Sequence, residues 1–217
     1  MVGADAAQYA ENGLHKERRL DQPAIDKMRQ IVEVSDIVAL VLEACAALFA
    51  QPLYNLLDIG EGHAPELAAL YCAETGVLIA GDQILPKISP NISVPPHEPE
   101  GDPLARYLRS LGKFRDALPP DTLVLPSHNL PFRGVHRRID QLAAHHHARC
   151  AETITACERP HSAADLLPIM FRRQLDRHQT AFALGEALAH LHYVANQGEI
   201  ECVTGPDGVA RFLRKAA

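Results

Sequence analysis

Three times between residues 56 and 128 a short apolar run stops at glycine or proline and delivers a metal-competent side chain. Val77-Leu78-Ile79-Ala80 runs into Gly81-Asp82, Leu56-Leu57-Asp58-Ile59 into Gly60-Glu61-Gly62-His63, and Thr122-Leu123-Val124-Leu125 into Pro126-Ser127-His128. Runs of this length, bounded by turn residues, read as buried strands whose polar groups are confined to their ends. Two histidines and one aspartate at strand ends could supply nitrogen and oxygen donors to zinc or a related ion. The spacing alone leaves other roles open: a turn histidine steadying its own loop, an aspartate in a turn or N-cap, and a polar loop at Ser127-His128-Asn129.

The intervening segments are helical. Leu104, Tyr107, Leu108, Leu111, Phe114 and Leu118 form one face of a helix that must end at Pro119-Pro120. Ile139, Leu142, His146, Cys150 and Ile154 stripe a longer helix over residues 135–157. Ser162-Ala163-Ala164-Asp165 reads as a capping box for a short helix ahead of Pro168. Leu184, Leu188, Leu191 and Ala195 stripe a helix that stops at Gly198, and residues 199–204 and 209–213 flank the turn Gly205-Pro206-Asp207-Gly208 as a hairpin. Strands alternating with helices over residues 50–130 predict an α/β layer with ligands at one edge. The order helix, helix, two-stranded wing predicts a small winged-helix-like unit after it. Residues 1–52 form an N-terminal helical and polar segment, with Pro23 opening a helix that carries Ile37, Leu40, Val41, Ala44 and Leu48 on one face.

Charge and composition narrow the functional classes. With 47% hydrophobic residues, a net charge of -6 and a pI near 6.0, the chain has an ample core and no basic surplus for a phosphate backbone. Residues 151–217 hold 7 Lys and Arg against 8 Asp and Glu, so the winged-helix-like unit is not predicted to read nucleic acid. The apolar stretch at residues 37–50 is broken by Glu43 and too short to span a bilayer. The five cysteines include no CxxC pair and fit reduced thiols, which together with the lack of a signal-peptide pattern predicts a cytoplasmic protein. Consecutive residues on a helix splay about 100° apart, so His145-His146-His147 reads as a partly solvated helix face. Glu186 and His190, four apart, are expected to pair along their helix.

Gly-Glu-Gly-His-Ala-Pro-Glu at residues 60–66, Gly-Asp-Gln-Ile-Leu-Pro-Lys-Ile-Ser-Pro-Asn-Ile at 81–92 and Pro-Ser-His-Asn-Leu-Pro-Phe at 126–132 closely resemble the second half of the metallo-β-lactamase superfamily. Arg138-Ile139-Asp140-Gln141-Leu142, His145-His146-His147-Ala148-Arg149 and Phe182-Ala183-Leu184-Gly185-Glu186-Ala187-Leu188 extend the resemblance, over about residues 53–215, to the lactamase-B2-like and glyoxalase-II-like hydrolases. It implies half of an αββα sandwich over residues 53–134, then a linker helix and winged-helix-like domain over 135–217. It also implies hydrolysis of an ester- or thioester-type small molecule with one or two zinc ions. His63 would be the third histidine of the first metal site, Asp82 the bridging, catalytic carboxylate, and His128 the last histidine of the second. Ser89 and Asn91 would border the substrate cleft.

The His-x-His-x-Asp-His motif that supplies the family's other four ligands has no counterpart, since only His15 precedes His63. The expectation is a truncated hydrolase, weak or inactive as this chain, that binds zinc poorly. The alternative is a shortened, non-catalytic relative acting as an interaction or nucleic-acid-binding module, with a homodimer as its expected form.

Overall fold

The computed structural model describes residues 56–64 and 67–215. The expectations for residues 1–52 lie outside them. The described chain is a mixed α/β structure, with one four-stranded sheet, four helices and a two-stranded hairpin.

The sheet has the order β1 (Leu56–Gly60), β2 (Leu67–Cys72), β3 (Val77–Gly81), β4 (Leu123–Pro126). β2 runs antiparallel to both β1 and β3, and β4 runs parallel to β3. Strands β1, β3 and β4 therefore point the same way, and their C-terminal ends share one edge of the sheet. Parallel neighbours need a crossover, which here contains helix α1 (Pro103–Ala117). Asp102 caps α1 by accepting from the Ala105 N–H at 2.9 Å, and the helix buries Leu104, Tyr107, Leu111 and Phe114. The predicted stop at Pro119-Pro120 is met one residue earlier, with Leu118 as the C-cap.

Helix α2 (Val135–Ala156) starts after Gly134, whose φ of 89° is the left-handed conformation that glycine adopts without strain. It buries Val135, Ile139, Leu142, His146 and Cys150. The expectation of a solvated His145–His147 face holds for His145 and His147, but His146 is wholly buried. Its position on the helix, between Leu142 and Cys150, turns it inward while its two neighbours splay outward.

Helix α3 (Ala163–Met170) has the predicted capping box between Ser162 and Asp165. It does not stop ahead of Pro168 but runs through it to Met170. Leu166 and Met170, four residues apart, are both buried, and the Phe171 N–H closes the last turn on the Leu167 carbonyl at 2.8 Å. Helix α4 (Arg177–Asn196) is capped by a second box, Asp176 with Gln179. Its buried face is Ala183, Ala187, His190, Leu191 and Val194, whereas Leu184 is exposed. Of the predicted stripe, Leu191 is buried and Leu188 and Ala195 pack against the core; only at Leu184 does the buried face differ, with Ala183 and Ala187 turned inward instead. β5 (Ile200–Thr204) and β6 (Ala210–Arg214) pair antiparallel as predicted.

One cluster of buried side chains joins the sheet to α1 and α2 and continues through Leu166 and Leu191 to Ile200 and Phe212. Among the described residues no helix is long and apolar enough to cross a membrane.

Candidate metal centre

His63, Asp82 and His128 meet at the sheet edge because β1, β3 and β4 end there. The backbone enforces each approach. Gly62, at φ 102°, sits so close to α1 that a Cβ would lie 2.5 Å from both the Pro103 carbonyl oxygen and Tyr107 Cβ. Only glycine lets the His63 turn pass there. The Ser127 N–H donates to the Gly81 carbonyl at 3.1 Å, so the chain leaving β4 lies beside the chain leaving β3. His128 rides on a loop closed at its base by the reciprocal backbone pair Val124 and Phe132, at 2.8 and 3.0 Å. Asn129, next to it, takes a φ of 70°, which is uncommon for a residue with a side chain.

The Asp82 carboxylate is shared between the two imidazoles. Oδ2 is 3.1 Å from His63 Nε2, and Oδ1 is 3.6 Å from His128 Nε2. The Ser127 hydroxyl donates to Oδ1 as well. His63 Nδ1 lies 2.8 Å from the Asn91 carbonyl oxygen. A carbonyl only accepts, so Nδ1 carries the proton and a neutral His63 presents a lone pair at Nε2. Two acceptors, the imidazole nitrogen and the carboxylate oxygen, then face each other at 3.1 Å. Such a contact needs a proton or a cation between them. Two donor atoms each about 2.0 to 2.1 Å from one tetrahedral ion stand about 3.3 Å apart, and the observed 3.1 and 3.6 Å fall on either side of that spacing. An outer hydrogen bond from the far ring nitrogen is also how metal-binding histidines are held.

The donor chemistry fits a metal, but the number of donors is small. Each carboxylate oxygen faces one histidine, and among the described residues no group of three or more His, Cys, Asp or Glu is arranged around one ion.

Asn91 contributes its backbone carbonyl to His63 rather than its amide, which instead accepts from the Ser93 hydroxyl at 3.1 Å. Ser89 is half-buried, and among the described residues no side-chain hydrogen bond ties it to the site. Three supporting residues were not singled out by sequence reasoning. Ser127 donates to Asp82, and its place between Pro126 and His128 was the available signal. Gln83 is wholly buried, donating to the Ser110 hydroxyl at 3.1 Å and reaching the Glu61 carbonyl at 3.4 Å. Tyr107, whose phenol is pushed well above its ordinary value by burial, donates to the Gln83 carbonyl at 3.1 Å. Neither of these last two had a pattern beyond helix periodicity or adjacency to Asp82. Beside His63 lies a cavity of about 120 Å³, also lined by Ser93, His97, Glu98 and Arg106, with Arg106 paired to Glu98 at 2.7 Å.

Residues 150–216 match the family described as metallo-beta-lactamase-like, C-terminal domain. Among solved structures, a beta-lactamase domain protein from Burkholderia ambifaria is 55% identical, with a TM-score of 0.72, over 75% of this chain and 48% of that one. A metallo-beta-lactamase family protein from Thermus thermophilus is 33% identical, with a TM-score of 0.63, over the same shares. The chain thus spans about half the length of the solved relatives it matches. No curated protein matches it.

Proposed function

The chain belongs to the metallo-β-lactamase superfamily, and from that premise we propose that it carries the C-terminal ligand set of a metal-dependent hydrolase. The observation that carries this reading is the Asp82 carboxylate set between His63 Nε2 and His128 Nε2. His63 with Asp82 would hold one zinc ion and Asp82 with His128 a second, Asp82 acting as the bridge. Zinc, when bound, supplies Lewis acidity and a water of lowered pKa.

The protein's own groups prepare that chemistry. The Asn91 carbonyl fixes the His63 tautomer, and the Ser127 hydroxyl holds the Asp82 carboxylate rotamer. The cavity beside His63, with Arg106 and Glu98 on its wall, is where part of a small ester- or thioester-type substrate would sit. Two donors per ion among the described residues leave most of the coordination to water, so zinc binding is weak and hydrolysis by this chain alone is slow.

The test is competition for zinc against a chromophoric chelator, with turnover of an activated ester and a thioester measured in parallel. The expected result is weak binding that Asp82→Ala abolishes. Binding left intact by combined substitution of His63, Asp82 and His128 would overturn the site. Stoichiometric zinc surviving dialysis would overturn its weakness.

A second reading draws on Ile88 and Leu130, which are 53% and 71% exposed on the two loops that also carry the site. Apolar side chains so placed suit a non-catalytic module that pairs as a homodimer. Sedimentation giving a monomer at high concentration would remove that reading.

A further inference from the structure

The segment that joins Asp82 to Asn91 has no helix or strand of its own, yet both its ends serve the candidate site. Asp82 supplies the carboxylate, and Asn91 supplies the carbonyl that orients His63. A strap without a backbone ladder keeps its shape only through bonds from outside it.

Those bonds come from three helices. At the near end, the Tyr107 hydroxyl of α1 donates to the Gln83 carbonyl at 3.1 Å. Just beyond the far end, the Val94 N–H donates to the Gly185 carbonyl of α4 at 3.2 Å. There Gly185 leaves room for Ser93, whose Oγ would lie 2.7 Å from a Cβ at that position. In the middle, Arg138 of α2 donates Nε to the Leu85 carbonyl at 2.5 Å and Nη2 to the Ile88 carbonyl at 2.8 Å. Its Nη1 reaches Gln141 Oε1 at 3.4 Å, one turn along α2. The planar fork of an arginine can engage two carbonyls in fixed relative positions, which the single ammonium of lysine cannot.

We infer that Arg138 is a positioning residue for the candidate metal centre, clamping the strap so that Asp82 and the Asn91 carbonyl stay in register with His63. The inference rests on the proposed reading of this site. Arg138 touches neither His63 nor Asp82 directly. Its effect passes through the backbone, so losing it should loosen the His63–Asn91 contact before it unfolds the helix that bears it.

The experiment compares the wild-type chain with R138K and R138M in two ways. Titration with Co²⁺, followed by visible absorption, reads metal affinity. Two-bond ¹H–¹⁵N correlation spectra of the metal-free chains read the tautomer of His63. The expected result is a His63 Nδ1 that is fully protonated toward the Asn91 carbonyl in the wild type and only partly so in R138M. Co²⁺ binding should be at least about tenfold weaker, within the range typical for groups that orient metal ligands, and R138K should fall between. A fully protonated Nδ1 that persists in R138M overturns the inference whatever the metal affinity. If the wild type takes up no Co²⁺, the metal-centre reading fails, and the tautomer spectra still decide whether Arg138 positions His63. Should R138M fail to fold, R138K, which keeps the charge and loses the fork, carries the same comparison.

Discussion

His146 Nδ1 lies 3.3 Å from His190 Nε2, joining α2 to α4 through two wholly buried imidazoles. His190 Nδ1 donates to the Glu186 backbone carbonyl at 2.9 Å, so the expected Glu186–His190 pair exists through the main chain rather than the carboxylate. That bond makes His190 Nε2 an acceptor, and His146 Nδ1 must carry the proton between the rings. His146 Nε2 is left without a partner among the described residues.

Stability should therefore depend on pH. Burial holds His146 down at about 3 and His190 at about 4, both below the ordinary 6.5. As the pH falls below 6.5 the unfolded chain takes up two protons that the folded chain refuses, so this stability is full above that value and lost toward acid. Glu186, pushed up to about 7 by burial, works in the opposite sense: its folded form keeps a proton that the unfolded chain releases above 4.5. Between 4.5 and 6.5 the histidines exceed the glutamate by one proton, a slope of at most about 1.4 kcal/mol per pH unit. Below 4.5 the opposing contribution vanishes and the slope steepens. Thermal melts from about pH 7.5 to about pH 4 should show Tm falling, fastest at the acid end, and His146→Leu should flatten the profile. A level wild-type profile contradicts the account.

Gly62→Ala should be among the most damaging single-methyl additions in this chain. The new Cβ meets the backbone of α1 at 2.5 Å, in a left-handed conformation that costs an alanine extra. Overpacking and backbone strain together amount to about 2 to 5 kcal/mol. Urea unfolding measures it. Gly76→Ala is the control, since its φ of 65° carries the conformational cost while no atom lies within 4 Å of the added methyl.

Tyr107→Phe removes a single oxygen from a wholly buried ring and leaves the Gln83 carbonyl without that donor. The expected loss is about 1 to 3 kcal/mol by denaturant titration. Because Gln83 follows Asp82, the variant should also weaken metal binding. An unaltered midpoint would show that the hydroxyl bond contributes nothing.

Asp82→Ala should separate the site from the fold. The Asp82 side chain is 26% exposed and its ion-pair partners are more accessible still. Surface pairs of this kind contribute about 0 to 1 kcal/mol. The melt should move little while the weak zinc binding disappears, as read by competition against a chromophoric chelator.

Much of the fold could be read from residue order because it rests on local rules. Apolar runs closed by Gly or Pro mark the strands, and the cap at Ser162 lies where a hydroxyl precedes a helical segment. His63, Asp82 and His128 stood out for the same reason, as metal-competent groups at strand ends. The buried face of α4 was legible at Leu188, Leu191 and Ala195 but not at its start, because periodicity identifies a stripe without fixing its edges. There Ala183 and Ala187 are buried and Leu184 is exposed.

The sequence by itself determined which segments become strands and helices, and which side chains emerge at their ends, since propensity, capping and chain stiffness act within a few residues. Only the tertiary structure decided that β1, β3 and β4 run the same way, so that His63, Asp82 and His128, far apart along the chain, meet around one carboxylate. It alone placed Arg138 on the carbonyls of Leu85 and Ile88, and turned His146 of a solvent-prone triplet toward His190. Contacts between residues so distant in sequence depend on which faces bury together, and that is settled by the packing of the whole core.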